Sequence, residues 1–321
     1  MGNDPTVCAS ASVAATRVIP TVYFVIDGSS SMNARFGGGT RWSVLRDALI
    51  GSSGVITRLE SAVEFGISIY SSTDPMNCPT LTDVAPKITN LAPVQGAYPP
   101  VETGGGTPTG EALQKLVDGL APYNALDNTA APPIIILATD GEPNGCTSPA
   151  TCNWVDWANC LGQLANQLAA APATYDTTLA AVRAARMKNI PVWVVSLADG
   201  LNAIPQLQTA ANIGAGLADD ASPGATIYSP QNPDDLTQTL TNLLGQTVSC
   251  DVELAGRLDV NRVCEGTVTL NGTPIECNSD QGWKAVDSTH IALQGAACES
   301  LKSNPAVLLD AKFPCDVVIL Q

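Results

Sequence analysis

One histidine, His290, stands in a chain of 321 residues, which removes most mechanisms that depend on imidazole as a base or a metal ligand. Cationic side chains are also scarce. Lys plus Arg number 15 against 30 Asp plus Glu, a net charge of −15, and no basic run breaks the pattern. Nucleic acid and anionic membrane surfaces are therefore not expected as partners. No apolar stretch reaches the 18 residues of a membrane-spanning helix, and Met1-Gly2-Asn3-Asp4 does not open an apolar signal segment. The chain is expected to be a mature or trimmed form from which any signal or anchor segment is absent. The ten cysteines, at 8, 78, 146, 152, 160, 250, 264, 277, 298 and 315, lack paired CxxC spacing. That distribution points to disulfides in an oxidising compartment rather than to zinc, hence to a secreted or cell-surface protein.

Two apolar runs carry the chemistry. Thr21 to Ile26 is rich in β-branched and aromatic residues and ends in Asp27-Gly28; Ile134 to Ala138 repeats the pattern and ends in Thr139-Asp140-Gly141. Runs of this kind read as parallel strands buried on both faces. In open α/β sheets the crevice beyond the carboxyl ends of such strands binds ligands, so two carboxylates are expected to meet there. In the loop Asp27-x-Ser29-x-Ser31, every second side chain can converge on one point while Gly28 lets the backbone bend away. Carboxylate and hydroxyl oxygens without His or Cys suit Mg²⁺, Mn²⁺ or Ca²⁺. Between the two strands lies Gly104-Gly105-Gly106-Thr107-Pro108-Thr109, which lacks the Lys of a phosphate-binding loop.

The segments DGSSS, TPT and LATDGEP together resemble the metal ion-dependent adhesion site of von Willebrand factor A domains, the family that includes integrin I domains. The resemblance implies that Ser29 and Ser31 ligate a divalent cation directly. It further implies that Thr107, Asp27 and Asp140 bind it directly or through water, with Thr109 the weaker member of its pair. Gly28, Ser30, Thr109 and Glu142 are the candidate partner-contacting positions. Two carboxylates left without their cation would repel each other, so Asp140→Ala is expected to stabilise the ion-free protein.

Along the chain, strands and helices alternate as a doubly wound, mostly parallel α/β fold requires. Residues 1–19 form an N-terminal segment that could lend a strand to the last module. Residues 20–248 form the A-like domain: strands at 20–26, 63–70, 133–139, 190–197 and 225–228, and helices near 41–57, 108–121, 174–189, 203–213 and 232–247. Segment 74–103 reads mostly as loop, with a short edge strand at most. The insertion 141–173, with Cys146, Cys152, Cys160, Trp154 and Trp157, borders the proposed ion and is the expected selector of partners. The spacing does not fix disulfide pairings; Cys78 with Cys146 and Cys152 with Cys160 are the ones expected to brace this face. Residues 249–321, with five cysteines and the hairpin signal Asn271-Gly272, read as a small disulfide-braced β-sandwich module.

The function these features favour is adhesion or protein binding without catalysis, the cation bridging to a carboxylate or other anionic oxygen of a protein or glycan. Two alternatives were weighed: a structural subunit of a surface fibre or envelope complex, and a Mg²⁺-dependent phosphohydrolase. The last requires a second Asp two residues after the first, where Ser29 stands.

Overall fold

The computed structural model describes residues 11–319, apart from 14, 18, 74–76, 123–132, 142, 147–173, 199–204, 248 and 304–307. The chain divides into two compact units, one within Thr21–Leu243 and the other made from the segment before Thr21 and from Leu244 onward.

The chain opens with strands β1 (Ala11–Val13) and β2 (Ala15–Arg17), which belong to the second unit. The first unit is built on a five-stranded sheet whose centre is β3 (Thr21–Asp27). A short ribbon, β4 (Arg35–Phe36) and β5 (Gly39–Thr40), leads into helix α1 (Arg41–Ile50), and α2 (Val55–Leu59) follows. The sequence suggested one helix over 41–57. Gly51 and Gly54 divide it, glycine being about 1 kcal/mol poorer than alanine inside a helix.

Next come β6 (Glu64–Ser71), β7 (Thr80–Lys87), α3 (Leu91–Ala97), α4 (Thr109–Gly119) and β8 (Ile134–Thr139). Helix α5 spans 174–187 and is followed by β9 (Val192–Ser196), α6 (Pro205–Ala215) and α7 (Pro233–Thr247). The sheet order is β7-β6-β3-β8-β9, parallel except for β7.

Segment 74–103 therefore holds more than loop: a strand of eight residues and a helix. β7 is an edge strand with alternating exposure, and Pro86 is tolerated because it has no neighbour on its outer side. Pro108 is the N-cap residue of α4. The strand read at 225–228 is reduced to one bridge, Tyr228 to Val195. Asn232 does cap α7, its side chain accepting from the Asp235 N–H at 2.9 Å.

Each inner strand is apolar on both faces because helices cover both. Val25, Ile135, Leu137, Val192 and Val194 pack with Leu113 and Val117 of α4, Val182 of α5 and Ala211 of α6. The alternate residues of β3 face the other way, where Phe24 stacks on Phe65 with ring centres 6.1 Å apart. Leu236, Leu240, Leu243 and Leu244 form one apolar stripe of α7, and all four are buried.

The second unit continues with β10 (Asp251–Leu254), β11 (Arg257–Leu258), β12 (Thr267–Leu270), β13 (Thr273–Ile275), β14 (Trp283–Ala285), β15 (His290–Leu293), α8 (Gly295–Ser303), β16 (Leu309–Phe313) and β17 (Val318–Ile319). It is a sandwich of two four-stranded sheets, β1-β16-β12-β13 and β14-β15-β10-β2, held over one core in which Trp283 meets Phe313 edge-on at 6.1 Å. Asn271 and Gly272, with φ of 50° and 79°, make the hairpin between β12 and β13. Disulfides Cys250–Cys298 and Cys264–Cys277 brace it.

Phe24→Ala would remove a fully buried ring from the sheet's centre and is expected to lower the unfolding free energy by about 3–5 kcal/mol, read by urea denaturation.

Candidate metal centre

β3 and β8 are parallel neighbours, so Asp27 and Asp140 emerge from the same edge of the sheet. Beyond β3 the Gly28 N–H donates to the Tyr70 carbonyl at 2.8 Å, carrying the ladder one residue further. A Cβ on Gly28 would lie 2.4 Å from the Thr103 hydroxyl, so only glycine fits. The backbone then turns back on itself. The Ser29 N–H donates to Asp27 Oδ1 at 2.9 Å, and the Thr139 hydroxyl donates to Oδ2 at 2.8 Å. Ser29 Oγ lies 2.9 Å from Ser31 Oγ, and Ser31 Oγ donates to Asp140 Oδ1 at 2.7 Å. The alternate residues of the loop thus converge, and one unbroken chain of polar contacts runs Asp27–Ser29–Ser31–Asp140.

The glycine-rich loop is sewn to this turn through backbone. Gly104 N–H donates to the Gly28 carbonyl at 2.8 Å, Ser30 N–H to the Gly105 carbonyl at 3.0 Å, and the Thr103 hydroxyl to the Gly28 carbonyl at 2.9 Å. Gly105 has φ +79°, and a Cβ there would come within 2.8 Å of the Thr73 nitrogen. Buried Thr107 is clasped by Asn144, which accepts from the Thr107 N–H at 2.5 Å through Oδ1 and donates its own N–H to the Thr107 carbonyl at 3.0 Å. Two residues on, Cys146 is bonded to Cys78 as expected, and its N–H donates to Glu111 at 3.0 Å. The Cys152–Cys160 pairing and Glu142 lie outside the described residues, as does the insertion beyond Cys146.

The two carboxylates are treated very differently. Asp27 has no exposure, and burial first, then the negative charge of Asp140, push its carboxyl up to about 6 despite the hydrogen bonds from Ser29 and Thr139. Burial, with the charge of Asp27, also drives the Tyr70 phenol well above its ordinary range. Asp140 is held by a cation that no local pattern announces: Arg41 Nη1 lies 2.7 Å from Oδ2, within an ion pair whose carboxylate is fully buried.

Of the other positions read from sequence, Ser30 is exposed at the rim. Thr109 is buried and turned inward, its hydroxyl 3.0 Å from that of Tyr70, where a partner does not reach it. Arg41, Thr139 and Asn144 escaped the sequence reading. Only Thr139, inside the Thr-Asp-Gly motif, carried a local signal.

Among the described residues no three His, Cys, Asp or Glu side chains cluster as a metal-binding group. The donors here are two carboxylates and hydroxyls, a hard-oxygen set suited to Mg²⁺ or Mn²⁺.

The first unit has the von Willebrand factor A-like fold: a mostly parallel central sheet flanked by helices. Residues 22–142 match the family model of the von Willebrand factor type A domain. No curated protein matches the chain in sequence. Similar solved structures include the PilB minor pilin from Streptococcus sanguinis, at 14% identity and TM-score 0.44, covering 71% of this chain and 60% of that one. The pilus adhesin SpaC from Lactobacillus rhamnosus GG has 13% identity and TM-score 0.48, over 92% of this chain and 39% of that one. Manganese-loaded TRAP protein from Plasmodium vivax has 16% identity and TM-score 0.42, over 89% and 98%. The chain thus spans about three fifths of the length of the minor pilin.

Two predictions follow from the charges. Asp140→Ala removes the carboxylate that Arg41 Nη1 meets at 2.7 Å, so in chelator it is expected to destabilise by about 1–3 kcal/mol, the opposite sign from simple carboxylate repulsion, read by urea denaturation. Asp27 has a folded pKa of about 6 against an ordinary 3.8, so it stabilises the fold fully below pH 3.8 and loses that contribution as pH rises to 6. In chelator, stability is expected to fall by roughly 3 kcal/mol across that window, and Asp27→Asn is expected to flatten the slope.

Proposed function

We propose that the first unit is a divalent-cation-dependent protein-binding domain of a secreted or cell-surface protein, serving adhesion. The observation that carries this reading is the polar chain Asp27–Ser29–Ser31–Asp140 at the carboxyl ends of β3 and β8. Asp27, Ser29, Ser31, Thr107 and Asp140 would hold the ion. A Mg²⁺ or Mn²⁺ there supplies a Lewis-acid position for a carboxylate or other anionic oxygen of a protein or glycan partner.

The protein's own residues prepare that position. Asp27 is fixed by donors on both oxygens, so its orientation costs nothing further when an ion arrives. The remaining ligands are neutral hydroxyls or a carboxylate already matched by Arg41, so the site does not neutralise a doubly charged ion by itself. A partner acid approaching a chain of net charge −15 meets repulsion, and a cation at an exposed rim such as that of Ser30 gives it a place to land. Ser29 and Ser31 hydroxyls bond to each other, and Ser31 to Asp140, with no histidine beside them, the single His290 lying in the other unit, which supports binding over catalysis of the Ser–His type. The disulfides, Cys78–Cys146 among them, favour an oxidising compartment. No helix among the described residues is long and apolar enough to cross a membrane.

Asp27→Ala is expected to abolish Mn²⁺ binding in titration calorimetry together with ion-dependent capture of partner protein, and Thr107→Ala to weaken ion binding by about 10- to 100-fold. Capture that persists unchanged in EDTA contradicts the proposal. Light scattering with Mg²⁺ separates the adhesion reading, which expects a monomer, from a fibre subunit, which expects self-association.

A further inference from the structure

Arg41 is the first residue of α1, and the position is a poor one for a cation. The N-terminal end of a helix carries the positive end of its dipole, and a guanidinium there is repelled unless an anion compensates. The residue is nevertheless buried and held firmly. Its N–H donates to the Ala34 carbonyl at 2.9 Å, and the preceding Thr40 forms a reciprocal capping box with Ser43. Helix stability alone does not account for an arginine at this point. What compensates it is Asp140: Nη1 reaches Oδ2 at 2.7 Å and lies 3.4 Å from the Ser31 carbonyl, while Ser31 Oγ occupies Oδ1. Both oxygens of one candidate ion ligand are thus engaged by protein donors.

We infer that Arg41 is a positioning residue that acts as the internal counter-ion of Asp140, limiting the affinity of the site for a divalent cation and leaving more of the bound ion's charge for the partner. The inference rests on the metal-dependent reading above. Within the pair the guanidinium offsets the charge of Asp140, and arginine keeps its charge at any physiological pH. Removing that charge at contact distance from a ligand strengthens the pull on a divalent ion. It also weakens the residual field felt by a partner's carboxylate. Arg41 therefore exchanges ion affinity for grip on the partner, and keeps Asp140 in place beside Asp27 when divalent ions are scarce.

The test compares wild type, Arg41→Gln and Arg41→Lys by titration calorimetry with Mn²⁺ and by thermal melting in EDTA. Arg41→Gln is expected to bind Mn²⁺ at least about tenfold tighter than wild type, to melt lower in EDTA, and to gain more in melting temperature from added Mn²⁺. Arg41→Lys, which keeps the charge, is expected to lie close to wild type in ion affinity. Wild type that binds Mn²⁺ while Arg41→Gln binds equally or more weakly overturns the counter-ion role and leaves the metal site standing. Folded wild type and Arg41→Gln that both fail to bind Mn²⁺ overturn the metal site and the inference with it. If Arg41→Gln is unfolded in EDTA, recovery of the fold on adding Mn²⁺ supports the inference, and no recovery refutes it.

Discussion

The carboxylate of Asp27 sits at the end of a strand whose other inner residues are apolar, and it is shielded completely from solvent. Burying such a group is unfavourable unless donors surround it, and here they come from two directions. The Ser29 N–H folds the following turn back over one oxygen, and Thr139 from the neighbouring strand reaches the other. That pair of contacts fixes where Ser29 and Ser31 point, which in turn sets where Asp140 is met. The turn also supplies the Gly28 and Ser30 backbone groups to which the glycine-rich loop is stitched.

Much of this was legible in the sequence because a parallel strand covered on both faces leaves a simple trace. Thr21 to Ile26 and Ile134 to Ala138 read as continuous apolar runs, and each gives way to an Asp-Gly pair that marks the strand's end. β7 was harder to see. It is an edge strand of mixed polarity containing Pro86, and it owes its existence to pairing with β6 rather than to its own pattern. The broken helix at 51–54 turned on two glycines inside an otherwise helical stretch. Arg41 lay beyond reach for a different reason. Its partner is 99 residues away, and no local periodicity announces which distant carboxylate a buried guanidinium will choose.

Asn144 shows the same limit from the other side. A lone asparagine in a loop reads as a turn former, yet here it mimics a strand neighbour by bonding both the N–H and the carbonyl of Thr107. The Cys78–Cys146 bond stands two residues from that clasp and joins the loop after β6 to the loop after β8. Thr107 is thereby held through its backbone N–H and carbonyl, neither of which consumes its own hydroxyl.

Strands β1 and β2 come from the start of the chain and pair with β16 and β10 from its far end. The α/β unit is thus an insertion within the sandwich. During synthesis the inserted unit has all its strands in hand long before the sandwich can close. Its completion also joins the first strands of the polypeptide to the last. A pull applied across that sandwich through β1 and β2 would act on its β-ladders directly, because both strands are held edge to edge by β16 and β10.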